Sequence, residues 1–209
     1  MNSSNDMPEK LILFSEPTPE VMAKLTPEIF GEFIKDKVLA YMPSDGGATE
    51  ANAKYTPFWQ EFAQSNGAQF INLDNSKTGN EAETEIQKLE LANILVITGG
   101  NTFKLLKNLR DSGFDKAIKQ FWQKNNVILV GFSAGAEVLT PSIKTASQGD
   151  KPDPNDVGLE DLSGLGLVDF EIWPHYNQAI EQKSADEYEA INHIELKRLA
   201  NQDLLVINK

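Results

Sequence analysis

Short apolar runs recur along the chain at regular intervals. They are Lys10-Leu-Ile-Leu-Phe-Ser15, Val38-Leu-Ala-Tyr-Met42, Ala68-Gln-Phe-Ile-Asn-Leu73, Asn93-Ile-Leu-Val-Ile-Thr98 and Val127-Ile-Leu-Val130. Most have no polar residue at alternate positions, which is the pattern of strands covered on both faces in a parallel sheet. The intervening segments read as helices. Thr26-Pro27 supplies a cap and a first-turn proline for one, and Thr56-Pro57 opens another through Phe58, Trp59 and Phe62 that Gly67 closes. Residues 81–91 have helical spacing, with Ile86 and Leu89 on one side. A helix carrying Phe103, Leu105, Leu106 and Leu109 follows Gly99-Gly-Asn-Thr102. Residues 114–124 place Ile118, Phe121 and Trp122 inward. Further on, Thr145 to Leu162 is polar, holds Pro152 and Pro154, and reads as a surface loop over the site. Residues 169–176 read as a strand ended by Pro174, residues 185–200 as an amphipathic helix, and Leu204 to Ile207 as a last strand. Alternation of this kind predicts a single α/β domain over residues 1–209. It is a three-layer fold with a mostly parallel sheet flanked by helices.

Ligands of such sheets bind beyond the C-terminal ends of the strands. Three predicted loops lie there: Pro43 to Gly47, Gly99 to Thr102, and the segment after Val130. The last is Gly131-Phe-Ser133-Ala-Gly135, a G-x-S-x-G sequence that lifts a serine hydroxyl above the sheet on a sharp strand-to-helix turn. A serine nucleophile needs a neighbouring base. The chain has two histidines. His175 follows a predicted strand end, behind the stiff pair Trp173-Pro174. His193 falls in the middle of a charged helix and reads as a surface residue. The acid that would hold the imidazole comes from the polar loop, which offers Asp150, Asp153, Asp156, Glu160 and Asp161. An oxyanion hole needs two backbone N–H groups. Ala134, next to the serine, offers one. The Gly99-Gly100-Asn101 turn at a helix start offers the second. A nucleotide-binding use of that turn is the competing reading, although it lacks the G-x-G-x-x-G spacing.

Composition narrows the chemistry. Among the 209 residues are 31 acids and 19 Lys and Arg, for a net charge of −12, with no basic stripe to neutralise phosphates. A nucleic-acid partner is therefore not expected. The absence of cysteine excludes disulfides, thiolate metal sites and a cysteine nucleophile. The first ten residues lack the pattern of a signal peptide, and no apolar run has the length of a membrane span, so a cytoplasmic location is expected.

Four segments in order carry a family resemblance: Gly99-Gly-Asn-Thr-Phe-Lys-Leu-Leu106, Gly131-Phe-Ser-Ala-Gly-Ala136, Thr140-Pro-Ser-Ile-Lys-Thr145, and Gly164-Leu-Gly-Leu-Val followed by Trp173-Pro-His-Tyr176. Together they resemble peptidase E, the aspartyl dipeptidases, and the related cyanophycinases. The resemblance implies a class I glutamine amidotransferase-like α/β fold and a Ser-His-acid hydrolase of small peptides, working without a metal or cofactor as monomer or homodimer. It maps the nucleophile to Ser133, the base to His175, and the oxyanion amides to Gly100 and Ala134. The acid maps to Asp150, at the cost of about two inserted residues. The arginine that aspartyl specificity is expected to need is missing, since Lys183 is the only Lys or Arg between His175 and Lys197. Family chains also continue past the last strand with further β structure, which this sequence lacks. A binding module with a repurposed triad on the same fold is the alternative function.

Overall fold

The computed structural model describes residues 9–31, 37–46 and 50–209. Its centre is a six-stranded sheet in the order β3-β2-β4-β5-β1-β8. The strands are β1 (Lys10–Phe14), β2 (Val38–Met42), β3 (Gln69–Asn72), β4 (Ile94–Ile97), β5 (Ile128–Phe132) and β8 (Leu204–Asn208). Neighbours are parallel except for β8, which runs antiparallel to β1.

Successive residues of the central strands face opposite layers. Leu11, Leu13, Leu95, Ile97 and Leu129 point toward α3 (Gly79–Glu90), α4 (Thr102–Ser112) and α5 (Phe114–Gln123). Ile12, Phe14, Leu39, Tyr41, Val96 and Val130 point toward α1 (Pro19–Phe30) and α2 (Glu50–Ser65). With both faces covered, each strand can be apolar throughout, and this is why the sequence runs lack alternation. The three-layer architecture expected from the sequence is present.

Three helix boundaries differ from the sequence reading. The first helix begins at Pro19, with the Thr18 side chain capping Val21 N–H, and Pro27 lies inside it. Thr18-Pro19 and Thr26-Pro27 carry the same start signal. The earlier one prevails because Val21, Leu25 and Ile29 form one continuous buried face. Thr26 donates its hydroxyl to Met22 O one turn back instead of capping. Likewise α2 starts at Glu50 and Pro57 lies within it. The predicted helix over 185–200 is displaced. Instead, α7 spans Gln178–Asn192 and ends at His193, whose φ of 50° is left-handed. His193 is thus a helix C-cap rather than a mid-helix residue. The residues beyond it form β7 (Leu196–Arg198), which pairs in parallel with β6 (Glu171–Trp173) in a small second sheet. Leu196, Leu199 and Ala200 have helical spacing, but β6 offers Leu196–Arg198 a strand partner, and Leu199 N–H donates to Trp173 O.

The segment Thr145 to Leu162 is irregular apart from one 3-10 turn over Lys144–Ser147. Of the predicted loop from Pro43 to Gly47, Gly47 lies outside the described residues. Among the described residues, no helix is long and apolar enough to cross a membrane.

Candidate active site

Ser133 sits where β5 ends and the short helix α6 (Ala134–Glu137) begins. Its φ of 51° and ψ of −122° are a conformation that costs a side-chain-bearing residue on the order of 1–3 kcal/mol. Packing holds it there. Ser133 N–H donates to Phe14 O at the end of β1. The flanking glycines admit the close approach of neighbouring backbone: a Cβ on Gly131 would lie 2.5 Å from Gly135 O, and one on Gly135 would lie 2.1 Å from Ile97 O. Both distances are shorter than any van der Waals contact, so the G-x-S-x-G glycines are dictated by the crossing of β4, β5 and α6.

The Gly99-Gly100 turn passes beside this serine. A Cβ on Gly99 would lie 2.9 Å from Ser133 Cβ. Gly100 has φ 149°, and a Cβ there would meet the buried Ser44 Oγ at 2.0 Å. Gly100 is exposed, and Ala134 is the first residue of a helix, so its N–H has no acceptor one turn back. Asn101 caps α4 by accepting from Lys104 N–H.

His175 comes from the other sheet. It follows β6 after Pro174 and has φ 57°. Its Nε2 lies 2.9 Å from Ser133 Oγ. Its backbone N–H donates to Ser15 Oγ at 3.0 Å, and Ser15 donates in turn to Leu199 O at 2.8 Å. Ser15 is buried at the end of β1, so one hydroxyl joins the main sheet to both strands of the small one. The buried carboxyl of Glu171 accepts from Tyr188 and ties β6 to α7.

Nδ1 of His175 lies 2.8 Å from Oδ1 of Asn201, in the turn between β7 and β8. The expected contact with Asp150 is not formed. Asp150 donates its backbone N–H to Glu181 Oε1, and its exposed side chain does not bond to the ring. The segment is pinned at both ends, since Asp153 accepts from both N–H and Oγ–H of Thr102, at 2.8 and 2.7 Å. Asp156 and Glu160 are exposed, and Asp161 pairs with Arg110. Hydrogen bonding from Ser163 holds the Asp161 carboxyl below the usual range.

Sequence reasoning missed Asn201, Ser15, Ser44 and Glu137. Asn201 follows β7, a segment whose helical spacing hides that it is a strand end. Glu137 is buried one turn after Ser133, with its two carboxyl oxygens facing the hydroxyls of Thr145 and Thr102. Burial raises its pKa from 4.5 to about 8. It is therefore largely protonated at neutral pH.

A cavity of about 470 Å³ opens onto Ser133, His175 and Gly100. Among the described residues its charged walls are mostly acidic, with Glu16, Asp150, Asp153 and Glu181 against Lys151, while the protonated Glu137 closes its floor. Among the described residues, no three His, Asp or Glu side chains are grouped to hold a metal ion.

The arrangement has relatives. The chain is 30% identical over 131 residues to the peptidase E of Salmonella arizonae and 31% identical over 134 residues to that of Escherichia coli O6:K15:H31. Each alignment covers 62% of this chain and 55% of the relative, so the chain matches about half the length of these proteins. A Listeria monocytogenes crystal structure described as a candidate peptidase E superposes with a TM-score of 0.73 at 24% identity, covering 96% of this chain and 95% of that one. A peptidase from an acI-B1 Actinobacterium gives 0.67 at 19% identity, covering 97% and 84%. At these identities the two structures speak for the fold. The profile of peptidase family S51 matches residues 11–209, nearly the whole sequence, and the chain belongs to that family.

Proposed function

We propose that this protein is a serine peptidase of the peptidase E type, acting on small peptides. The observation that carries the reading is the 2.9 Å approach of His175 Nε2 to Ser133 Oγ at a strained strand-to-helix elbow. Ser133 Oγ attacks the scissile carbonyl while Nε2 takes its proton. Negative charge gathers on the carbonyl oxygen, within the ring of amides formed by Gly100 and Ala134. The imidazolium then protonates the leaving amine as the C–N bond breaks, leaving an acyl-serine. Water hydrolyses that ester with His175 again as base.

The acidic cavity bears on the substrate. A peptide with a free ammonium group would be attracted by the carboxylates of Glu16, Asp150 and Asp153, whereas an aspartyl side chain would meet like charge. Among the described residues, the one Lys or Arg on the wall is Lys151, on the exposed loop. We therefore assign a preference away from N-terminal aspartate.

Replacing Ser133 by Ala is expected to lower peptide hydrolysis by at least about 10³-fold. A serine-directed phosphonate is expected to label Ser133 in the wild type. A folded protein that neither labels nor cleaves any member of a dipeptide library varied at the first residue would instead favour the second reading, a binding module on the same fold. The neutral partner of His175 is the observation behind that alternative.

A further inference from the structure

We infer that Asn201 is the positioning residue of His175: a neutral amide stands where a serine triad carries its carboxylate. Its catalytic consequence rests on the Ser133–His175 reading given above, while its effect on the imidazole does not.

The argument begins with the hydrogen. An amide oxygen can only accept, so Asn201 Oδ1 at 2.8 Å places the ring proton on Nδ1. The lone pair of a neutral imidazole is then on Nε2, directed at Ser133 Oγ 2.9 Å away. This is the tautomer a general base requires. The amide is itself held. Asp203 accepts from Ala200 N–H at 2.8 Å and donates its own N–H to Ala200 O at 3.1 Å, closing the turn that carries Asn201. On the other side, Leu199 O accepts from Ser15 Oγ and Tyr176 N–H, and Ser15 Oγ accepts from His175 N–H. The backbones bearing the ring and the amide are thus fastened to the same two residues, which fixes their separation.

Among the described residues, no carboxylate hydrogen-bonds to Nδ1. Asp153 accepts from Thr102, Glu181 from the N–H groups of Asp150 and Asn177, and Asp203 from Ala200. The other titratable groups on the cavity wall are Glu16, the protonated Glu137, Asp150 and Lys151, and none of them hydrogen-bonds to the ring. A carboxylate in the place of Asn201 would favour the protonated ring by direct charge attraction, whereas an amide orients it without that attraction. The chain therefore keeps the geometry of a triad and gives up the charge that steadies the imidazolium.

The test reads the imidazole directly. Nitrogen-15 NMR on a His193→Asn background isolates His175, the one histidine left. The expected result is an Nδ1–H tautomer and, in Asn201→Asp, a titration midpoint higher by about one pH unit or more. With a cleaved dipeptide as substrate, Asn201→Ala is expected to lower kcat at least 10-fold with KM little changed. Asn201→Asp is expected to restore kcat and move the acid limb of the pH profile upward by the same amount. A wild-type ring protonated on Nε2, or an unmoved midpoint in Asn201→Asp, would overturn the assignment. Should no peptide be cleaved, the peptidase reading fails while the NMR result still decides the role of Asn201. Asn201→Asp changes shape least, so it keeps the test open if the alanine variant does not fold.

Discussion

The two halves of the site are built by different means. Ser133 stands on the main sheet, between β1 and β4, with buried residues before and after it. Its position follows from backbone crossing backbone, and the glycines have no freedom to change. His175 and Asn201 stand on exposed turns of a two-stranded sheet, and both are exposed themselves. Their positions follow from a few hydrogen bonds that meet at Ser15 and Leu199. A nucleophile set by close packing should tolerate almost no change. A base set by hydrogen bonds should tolerate substitution structurally but lose alignment, and in a base misalignment is expressed as rate.

The sharpest way to break the nucleophile half is Gly135→Ala. Its Cβ would meet Ile97 O at 2.1 Å, in a place where no flexible side chain can yield. A loss of about 3 kcal/mol or more is expected, with phosphonate labelling abolished. Thermal unfolding and labelling check it.

Next is Glu137, buried beneath the same elbow. Its folded pKa is raised to about 8 from 4.5. Between those values the unfolded chain releases its proton while the folded protein keeps it. Stability therefore falls as pH rises, at up to about 1.4 kcal/mol per pH unit, and levels off above pH 8. Glu137→Gln should remove most of that slope. Melting temperatures of both proteins from pH 5 to 8 would show it, and parallel curves would contradict it.

On the base half, Ser15→Ala leaves His175 N–H and Leu199 O without their shared hydroxyl. A cost of about 1–3 kcal/mol is expected, together with a fall in kcat of about 10-fold, while the elbow remains labelled more slowly. A variant that loses stability but keeps full kcat would show that the small sheet holds the ring without Ser15. The smallest effect is expected for His193→Asn, since asparagine accepts the left-handed C-cap conformation. Its stability should stay within about 0.5 kcal/mol of wild type, and denaturant unfolding would measure it.

Much of the nucleophile half can be read in the amino acids. The apolar run into Gly131, the spacing around Ser133 and the Gly99-Gly100 turn are local statements, and the crossings that enforce them involve residues near in sequence or on adjacent strands. The base half is less legible. His175 stood out because there were only two histidines and one followed a strand. Asn201 did not, because Leu196, Leu199 and Ala200 repeat at helical spacing and an asparagine in a turn carries no signal of its own. The acidic loop is rich in candidate third partners, yet Asp153 is taken up by Thr102, Asp161 by Arg110 and Ser163, and Asp150, Asp156 and Glu160 are exposed.

The sequence by itself determined the three-layer sheet, since strands apolar on both faces have nowhere to lie but between helices. It also determined the serine on its turn, since only glycines permit that crossing. Which helix start was used was decided by tertiary packing: two Thr-Pro pairs compete, and the buried face of α1 chose the first. The partner of His175 was decided there as well. Whether 196–198 is helix or strand depends on β6 being within reach, and that choice places Asn201, rather than any acid of the loop, against the imidazole.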